Sequence, residues 1–414
     1  MTPRPTPRAP RRICLLALAA LVFLAGAPAA VKAQTAPPPA AQPTALLVSA
    51  IGAPLQLPGS DGMIHVEYDL LLANVFTAPV TLAAIEVLDP GAPGGAPLLR
   101  LEGAALAALT QSVSGGGGPP GVEVPAAGLV ATVIDLAVPP GAVPARVTHR
   151  IDYALPPDAP ARALIGSYRI DGPELAVDPR EPVVVAPPLR GAGWFTASGC
   201  CAAGGYVAPH RAGRLAVDGT RYLKNEAFAV DWVRLRGGRF AEGDGARNEQ
   251  HLAFGAEVVA AAPGTVVAVR DGAPEGTPGR LPTTLQGPSD YAGNKVVVQQ
   301  GPGVFATYAH LQPGSLPVRV GDRVTTGQVL GRVGNTGNSF APHLHFQLSD
   351  GPDLTTATSL PFVLDRYDLA GVVALDALVA ALTDPGAAPA LDVAGPAGPQ
   401  TGTHPLLLAV ADFR

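Results

Sequence analysis

Pro342-His343-Leu344-His345-Phe346-Gln347 alternates imidazoles with large apolar residues. Side chains on a β-strand point alternately to its two faces. The run therefore predicts a strand over His343 to Leu348, with His343 and His345 on one face and Leu344 and Phe346 turned into a core. Two imidazoles so placed can serve one metal site, one as ligand and one as acid or base. Taken alone, the pattern fits a pair of surface histidines equally well.

Its neighbours in sequence add to the case. Tyr308-Ala309-His310-Leu311 closes another apolar strand, and Gly334-Asn335-Thr336-Gly337-Asn338-Ser339 is a tight polar loop just ahead of the histidine pair. Asp231 stands inside Phe228-Ala229-Val230-Asp231-Trp232-Val233. A carboxylate among such residues is costly unless it is paired or binds a metal. His210 lies upstream in Pro209-His210-Arg211.

The wider pattern is of short apolar strands separated by Gly and Pro, which number 49 and 46 in 414 residues. The predicted class is all-β. After a boundary near Pro187-Pro188, strands are predicted at Phe228 to Leu235, Glu257 to Val269, Asn294 to Gln299, Val304 to His310, Val318 to Val333 and His343 to Leu348. Before it, His65 to Leu72, Val80 to Val87, Leu129 to Leu136, Arg146 to Tyr153 and Pro182 to Val185 read as a β-sandwich of immunoglobulin-like type. A turn signal at Ser114-Gly115-Gly116-Gly117-Gly118 falls among them. His65 and His149 stand alone there, as packing or surface residues. The expected organisation is a signal peptide over 1–33, a Pro/Ala linker over 34–44, a sandwich domain over 45–190, a second domain over 191–365 and a C-terminal extension over 366–414. The extension holds one helix, Leu375 to Leu382, and a final strand, Pro405 to Val410.

The signal peptide is read from a basic start (Arg4, Arg8, Arg11, Arg12), an apolar run from Ile13 to Gly26 and the small-x-small site Val31-Lys32-Ala33. The run is too short to span a bilayer comfortably, so no membrane span is expected after its removal. The expected location is secreted, periplasmic or in the cell envelope. Residues 1–33 carry five positive charges and no acid, so the rest of the chain has net charge −10 against −5 for the whole. That balance excludes nucleic acid as a partner, because phosphate contacts need Lys and Arg. Cys200 and Cys201, the two cysteines beyond the leader, are adjacent. Outside the cytoplasm a vicinal disulfide is open to them; as thiolates they would be zinc ligands.

The ordered run Gly255-x-x-Val258-x-Ala260-x-x-x-Gly264-Thr265-Val266-Val267, Gly293-Asn294-x-Val296-x-Val298, Tyr308-Ala309-His310-Leu311, Gly321-Asp322-x-Val324-x-x-Gly327-Gln328-x-Leu330-Gly331, Gly334-Asn335-Thr336-Gly337 and His343-Leu344-His345-Phe346 resembles the lysostaphin/LytM-type zinc metallopeptidases over about residues 205–350. The resemblance implies a β-rich LytM-type peptidase domain, one zinc ion and a cell-wall peptide substrate. It implies the ligands His210, Asp231 and His345. The family usually spaces its first two ligands as His-x-x-x-Asp, whereas here 21 positions separate His210 from Asp231. A hairpin turning near Val217-Asp218-Gly219-Thr220, with His210 on one strand and Asp231 on the return, would close that distance. His251 is the rival first ligand, although it follows Asp231.

Two neutral imidazoles and a carboxylate form the ligand set of a catalytic zinc site with an open position. No His-Glu-x-x-His is present to supply a glutamate base. His343 is accordingly assigned to take a proton from the attacking water, and His310 to orient that water or stabilise the oxyanion. The expected function is an exported zinc endopeptidase hydrolysing peptide cross-links of bacterial peptidoglycan. The alternative is a catalytically silent LytM-like module that acts by binding a cell-wall or protein partner.

Overall fold

The computed structural model describes residues 42–113, 120–202, 206–213, 215–217, 221–283, 285, 287–383 and 390–414. The leader, the linker up to residue 41, and the turn signals at 114–118 and 218–220 lie outside them. Among the described residues no helix is long and apolar enough to cross a membrane. Residues 42–414 form one compact unit.

The N-terminal part is built from antiparallel strands in two sheets. One sheet has the order Leu46–Pro58, Ile64–Asn74, Leu129–Val138, Thr110–Ser112. The other runs Leu175–Ala176, Arg146–Ala154, Val80–Leu88, Leu99–Glu102. Period-two alternation on Ile64–Asn74 sends Val66, Tyr68, Leu70 and Leu72 into a core shared with Ile85 and Val87 of the second sheet. His149 is indeed a packing residue: its Nδ1–H donates to the Pro173 carbonyl at 2.8 Å, and Nε2 accepts from the Tyr68 hydroxyl at 2.8 Å. Burial lowers its pKa, which keeps the ring neutral.

The second sheet system is a long antiparallel sheet. Its main path runs Arg323–Val324, Gly264–Arg270, Lys295–Gly301, Val304–Ala309, Leu344–Ser349, Val230–Arg234, Gly191–Ser198, Ala409–Phe413, Tyr367–Val373, Val393–Ala394. The expected strand Glu257 to Val269 is interrupted: it is two strands, Glu257–Val259 and Gly264–Arg270, divided by a bend at Ala261 and Ala262 just before Pro263. Val318 to Val333 likewise reduces to Arg323–Val324 and Val329–Arg332. The last strand is Ala409–Phe413 and not Pro405 to Val410; prolines lack the N–H that a ladder needs, and Leu408 has φ 73°. Residues 366–414 thus extend the main sheet: Ala409–Phe413 pairs with Gly191–Ser198, and Tyr367–Val373 with Ala409–Phe413. Trp194, Trp232, Tyr308, Leu344, Phe346 and Phe413 fill the core beneath.

The register puts the chemistry on three adjoining strands. Asp231 pairs with His345, and His345 pairs with Ala309, the residue before His310. Strand alternation then turns Asp231, His343, His345 and Gln347 to the face opposite Trp232, Leu344 and Phe346.

His65 generates the first prediction. Its Nδ1–H donates to Asp135 at 2.7 Å and its Nε2–H to Asp61 at 3.2 Å. Burial acts to lower its pKa, but the two carboxylates outweigh it and push the pKa up to about 10. A raised folded-state pKa gives stability that is complete below the ordinary value of 6.5 and is lost as pH climbs toward about 10. Chemical denaturation of wild type and His65→Gln should differ by about 1.5–3 kcal/mol at pH 6. The difference should shrink between pH 7 and 10; a difference constant over that range contradicts the assignment.

Candidate metal centre

Asp231 is the centre of the cluster. Its neighbours Val230 and Trp232 are fully buried, and its own side chain is 18 % exposed. Oδ2 lies 3.3 Å from His210 Nε2, while Oδ1 lies 3.1 Å from His345 Nδ1 and 3.3 Å from His343 Nε2. Burial acts to raise its carboxyl, but the charges of His210 and His343 and hydrogen bonds from His343 and His345 hold it well below the carboxylate range.

His345, almost wholly buried, is fixed from behind. Its Nε2–H donates to Gln347 Oε1 at 2.9 Å, and Gln347 Nε2 donates in turn to the Asn225 carbonyl at 3.1 Å. Nδ1 is thereby aimed at Asp231. Burial alone would lower this imidazole; the hydrogen bond and charge of Asp231 push it up to about 9 instead. The position between Nδ1 and the carboxylate thus demands a cation. A proton satisfies it, and so does a metal ion that takes the nitrogen lone pair.

His310 ends the Val304–Ala309 strand with φ 61°, a left-handed conformation rare outside glycine and found where structure overrides local preference. Its Nδ1–H donates to the Thr336 carbonyl at 2.7 Å, leaving Nε2 as an acceptor. Burial and the charges of His343 and His345 lower its pKa well below the ordinary value, so the ring is neutral. His343 Nδ1–H donates to the Ala341 carbonyl at 2.7 Å, with Ser339 Oγ at 3.2 Å. The two rings are 4.7 Å apart. The Gly334–Ser339 loop that supports both reaches its place only because glycine stands at two contacts. A Cβ on Gly293 would meet the Thr336 backbone at 2.4 Å, and one on Gly337 would meet Gly293 N at 2.3 Å.

His210 reaches the cluster from elsewhere in the chain. The predicted hairpin exists, with Leu215–Val217 antiparallel to Arg221–Leu223. His210 is not on its first strand, however, nor Asp231 on its return. His210 sits on the single helical turn Pro209–Ala212 that precedes the hairpin, and Asp231 on the later strand Val230–Arg234. Pro209 occupies the first helical position, where its missing N–H costs nothing. His210, Asp231 and His345 each offer a ligand atom within 4.8 Å of the others. His251 is not among them: its Nε2 bonds the Gly245 carbonyl at 2.9 Å, on a loop bridged to Ala241.

Cys200 and Cys201 form a buried vicinal disulfide. Disulfide sulfurs are not thiolates, so they are no rivals for the metal. Residues that sequence reasoning passed over include Gln347, Glu226 and Tyr291. Gln347 had a signal, since it lies two positions after His345 and so on the same strand face. Glu226 and Tyr291, whose hydroxyl is 3.5 Å from Glu226 Oε2, had none, because the fold alone brings them to the site. The Glu226 charge contributes to raising His345.

A carboxylate ringed by imidazoles on adjoining strands is the kind of centre metal-dependent hydrolases present. Among known proteins, residues 249–354 match the model of Peptidase family M23. That window holds His310, His343 and His345 but neither His210 nor Asp231. Over 85 residues the chain is 39 % identical to the peptidoglycan DD-endopeptidase ShyA of Vibrio cholerae, covering 20 % of this chain and 19 % of that protein. It is 48 % identical over 56 residues to the glycyl-glycine endopeptidase ALE-1 of Staphylococcus capitis, covering 13 % and 15 %. The chain therefore spans less than a fifth of the length of these relatives. The solved catalytic domain of lysostaphin from Staphylococcus simulans aligns at 21 % identity over 41 % of this chain and 84 % of its own, with a TM-score of 0.22.

The donor set fits zinc: two nitrogens and one carboxylate oxygen, with His345 held from behind as metal-binding histidines usually are. The chain should bind about one zinc equivalent, measured by elemental analysis after dialysis. His345→Ala and His210→Ala should lose it, whereas His251→Ala and the Cys200→Ser/Cys201→Ser double variant should keep it. Zinc retained in His210→Ala and lost in His251→Ala would reverse the assignment of the first ligand.

Proposed function

We propose that this chain is an exported zinc endopeptidase that hydrolyses peptide cross-links of bacterial peptidoglycan. The observation that carries this reading is the juxtaposition of two kinds of imidazole around Asp231. His210 and His345 close on the carboxylate as ligands, while His310 and His343 stand beside them with Nδ1 tied to backbone carbonyls and Nε2 turned into the cluster, that of His343 at 3.3 Å from Asp231 Oδ1. A purely structural or partner-binding module has no need of the second pair. The likeness to proteins named as peptidoglycan and glycyl-glycine endopeptidases supports the substrate class.

His210, Asp231 and His345 would hold the zinc ion, which supplies Lewis-acid polarisation of a scissile carbonyl and a lowered pKa for water. His343 Nε2 accepts the proton of the attacking water; its Nδ1–H bond to Ala341 fixes the tautomer with the lone pair on Nε2, which lies 3.3 Å from Asp231 Oδ1. The Asp231 charge stabilises the imidazolium that results. His310, kept neutral by burial, orients the water and the developing oxyanion without competing for the proton.

Purified peptidoglycan incubated with the zinc-loaded protein should release products cut within the peptide bridges, identified by mass spectrometry. His343→Ala should keep its zinc and lose turnover by on the order of 10²-fold or more. Zinc-loaded wild type that releases no product, while still binding peptidoglycan, would favour the silent binding module instead.

A further inference from the structure

The Ile64–Asn74 strand of the N-terminal sandwich carries its apolar residues inward, as expected, but its other face is unusual. Glu67 and Asp69, which alternation turns away from the sandwich core, are both fully buried. What covers them is Arg211, the residue after His210, itself without exposed side-chain surface. Its guanidinium pairs with Glu67 through Nε and Nη2, donates from Nη1 to Asp69 Oδ1 at 2.9 Å, and donates from Nη2 to the Tyr68 carbonyl at 3.1 Å. Lys224, also buried, contributes a second positive charge facing Glu67. One arginine thus satisfies three acceptors on a strand more than 140 positions earlier in the chain.

His210 needs such an anchor. Metal-binding histidines are normally oriented by a hydrogen bond from the second ring nitrogen. The Nδ1 of His210 is buried and has no hydrogen-bond partner among the described residues. The helix that carries it is a single turn closed by Ala212 N–H to Ala208 O and Gly213 N–H to Pro209 O, too short to hold its own shape. The matched family domain begins only at residue 249, beyond both His210 and the strand that grips Arg211.

We infer that the sandwich is a structural part of the metal centre: Glu67 and Asp69 hold Arg211, and Arg211 sets the place of His210. Arg211 is a positioning residue, acting on the metal through its neighbour. The inference rests on the reading of His210, Asp231 and His345 as zinc ligands.

Zinc affinity of the full chain, measured by competition with a chromophoric chelator, separates this role from general stabilisation. Arg211→Met should weaken binding by about 10-fold or more, the scale expected of residues that orient a ligand. His210→Ala should weaken it further. The double variant should bind no more weakly than His210→Ala alone, because Arg211 has nothing left to position. A twofold or smaller effect of Arg211→Met, or an equal loss in both backgrounds, overturns the inference. Should Arg211→Met not fold, Glu67→Gln and Asp69→Asn keep shape and remove charge. At least one should then weaken zinc binding in the wild-type background and not in His210→Ala, and zinc affinity unchanged in both overturns it. Wild type that binds no zinc overturns the ligand reading, and this inference with it.

Discussion

The organisation of this molecule follows from one half-buried carboxylate. Asp231 sits mid-strand between a valine and a tryptophan that are both fully buried, where an isolated negative charge would be strongly disfavoured. The chain meets that requirement with imidazoles brought from three places: the neighbouring strand, the turn before the Leu215–Val217 hairpin, and the loop ahead of His343. His210 Nε2 faces one carboxylate oxygen and His343 Nε2 and His345 Nδ1 the other, positions that a proton or a metal ion can fill.

The rest of the structure secures that arrangement. Antiparallel register sets Asp231 opposite His345 and His345 opposite Ala309, so three strands fix three of the participants to within a residue. Backbone carbonyls at Thr336 and Ala341 fix the tautomers of His310 and His343, and Gln347 fixes that of His345. The loops that supply those carbonyls pack where no Cβ fits, at Gly293 and Gly337. Among the described residues His210 has no hydrogen bond of this kind on its second nitrogen, and it is also the histidine whose neighbour, Arg211, is buried against the sandwich.

Much of this was legible in the sequence, and the boundary of legibility is physical. Period-two alternation in His343 to Gln347 gave that strand and its faces, and the apolar run from Phe228 placed Asp231 on a strand. The Gly334–Ser339 run marked a tight polar loop beside the histidines. What alternation cannot give is the distance between elements far apart in sequence. The turn carrying His210 is too short to show helical periodicity, and its contact with Asp231 depends on a fold spanning the intervening hairpin. Glu226, Tyr291 and the Glu67–Asp69–Arg211 cluster are invisible for the same reason. Glu67 and Asp69 alternate with apolar residues on Ile64–Asn74, and nothing in that run names the partner that buries them. The interrupted strands at Glu257–Arg270 and Arg323–Arg332 show the converse, where apolar composition ran across a turn.

The central claim is that His210, Asp231 and His345 together bind one zinc ion. Crystals of the full chain grown with zinc, measured on both sides of the zinc absorption edge, test it directly. The account predicts one strong anomalous peak within bonding distance of His210 Nε2, an Asp231 carboxylate oxygen and His345 Nδ1. A peak centred on other residues, or none at Asp231 in crystals whose protein contains stoichiometric zinc, would contradict it.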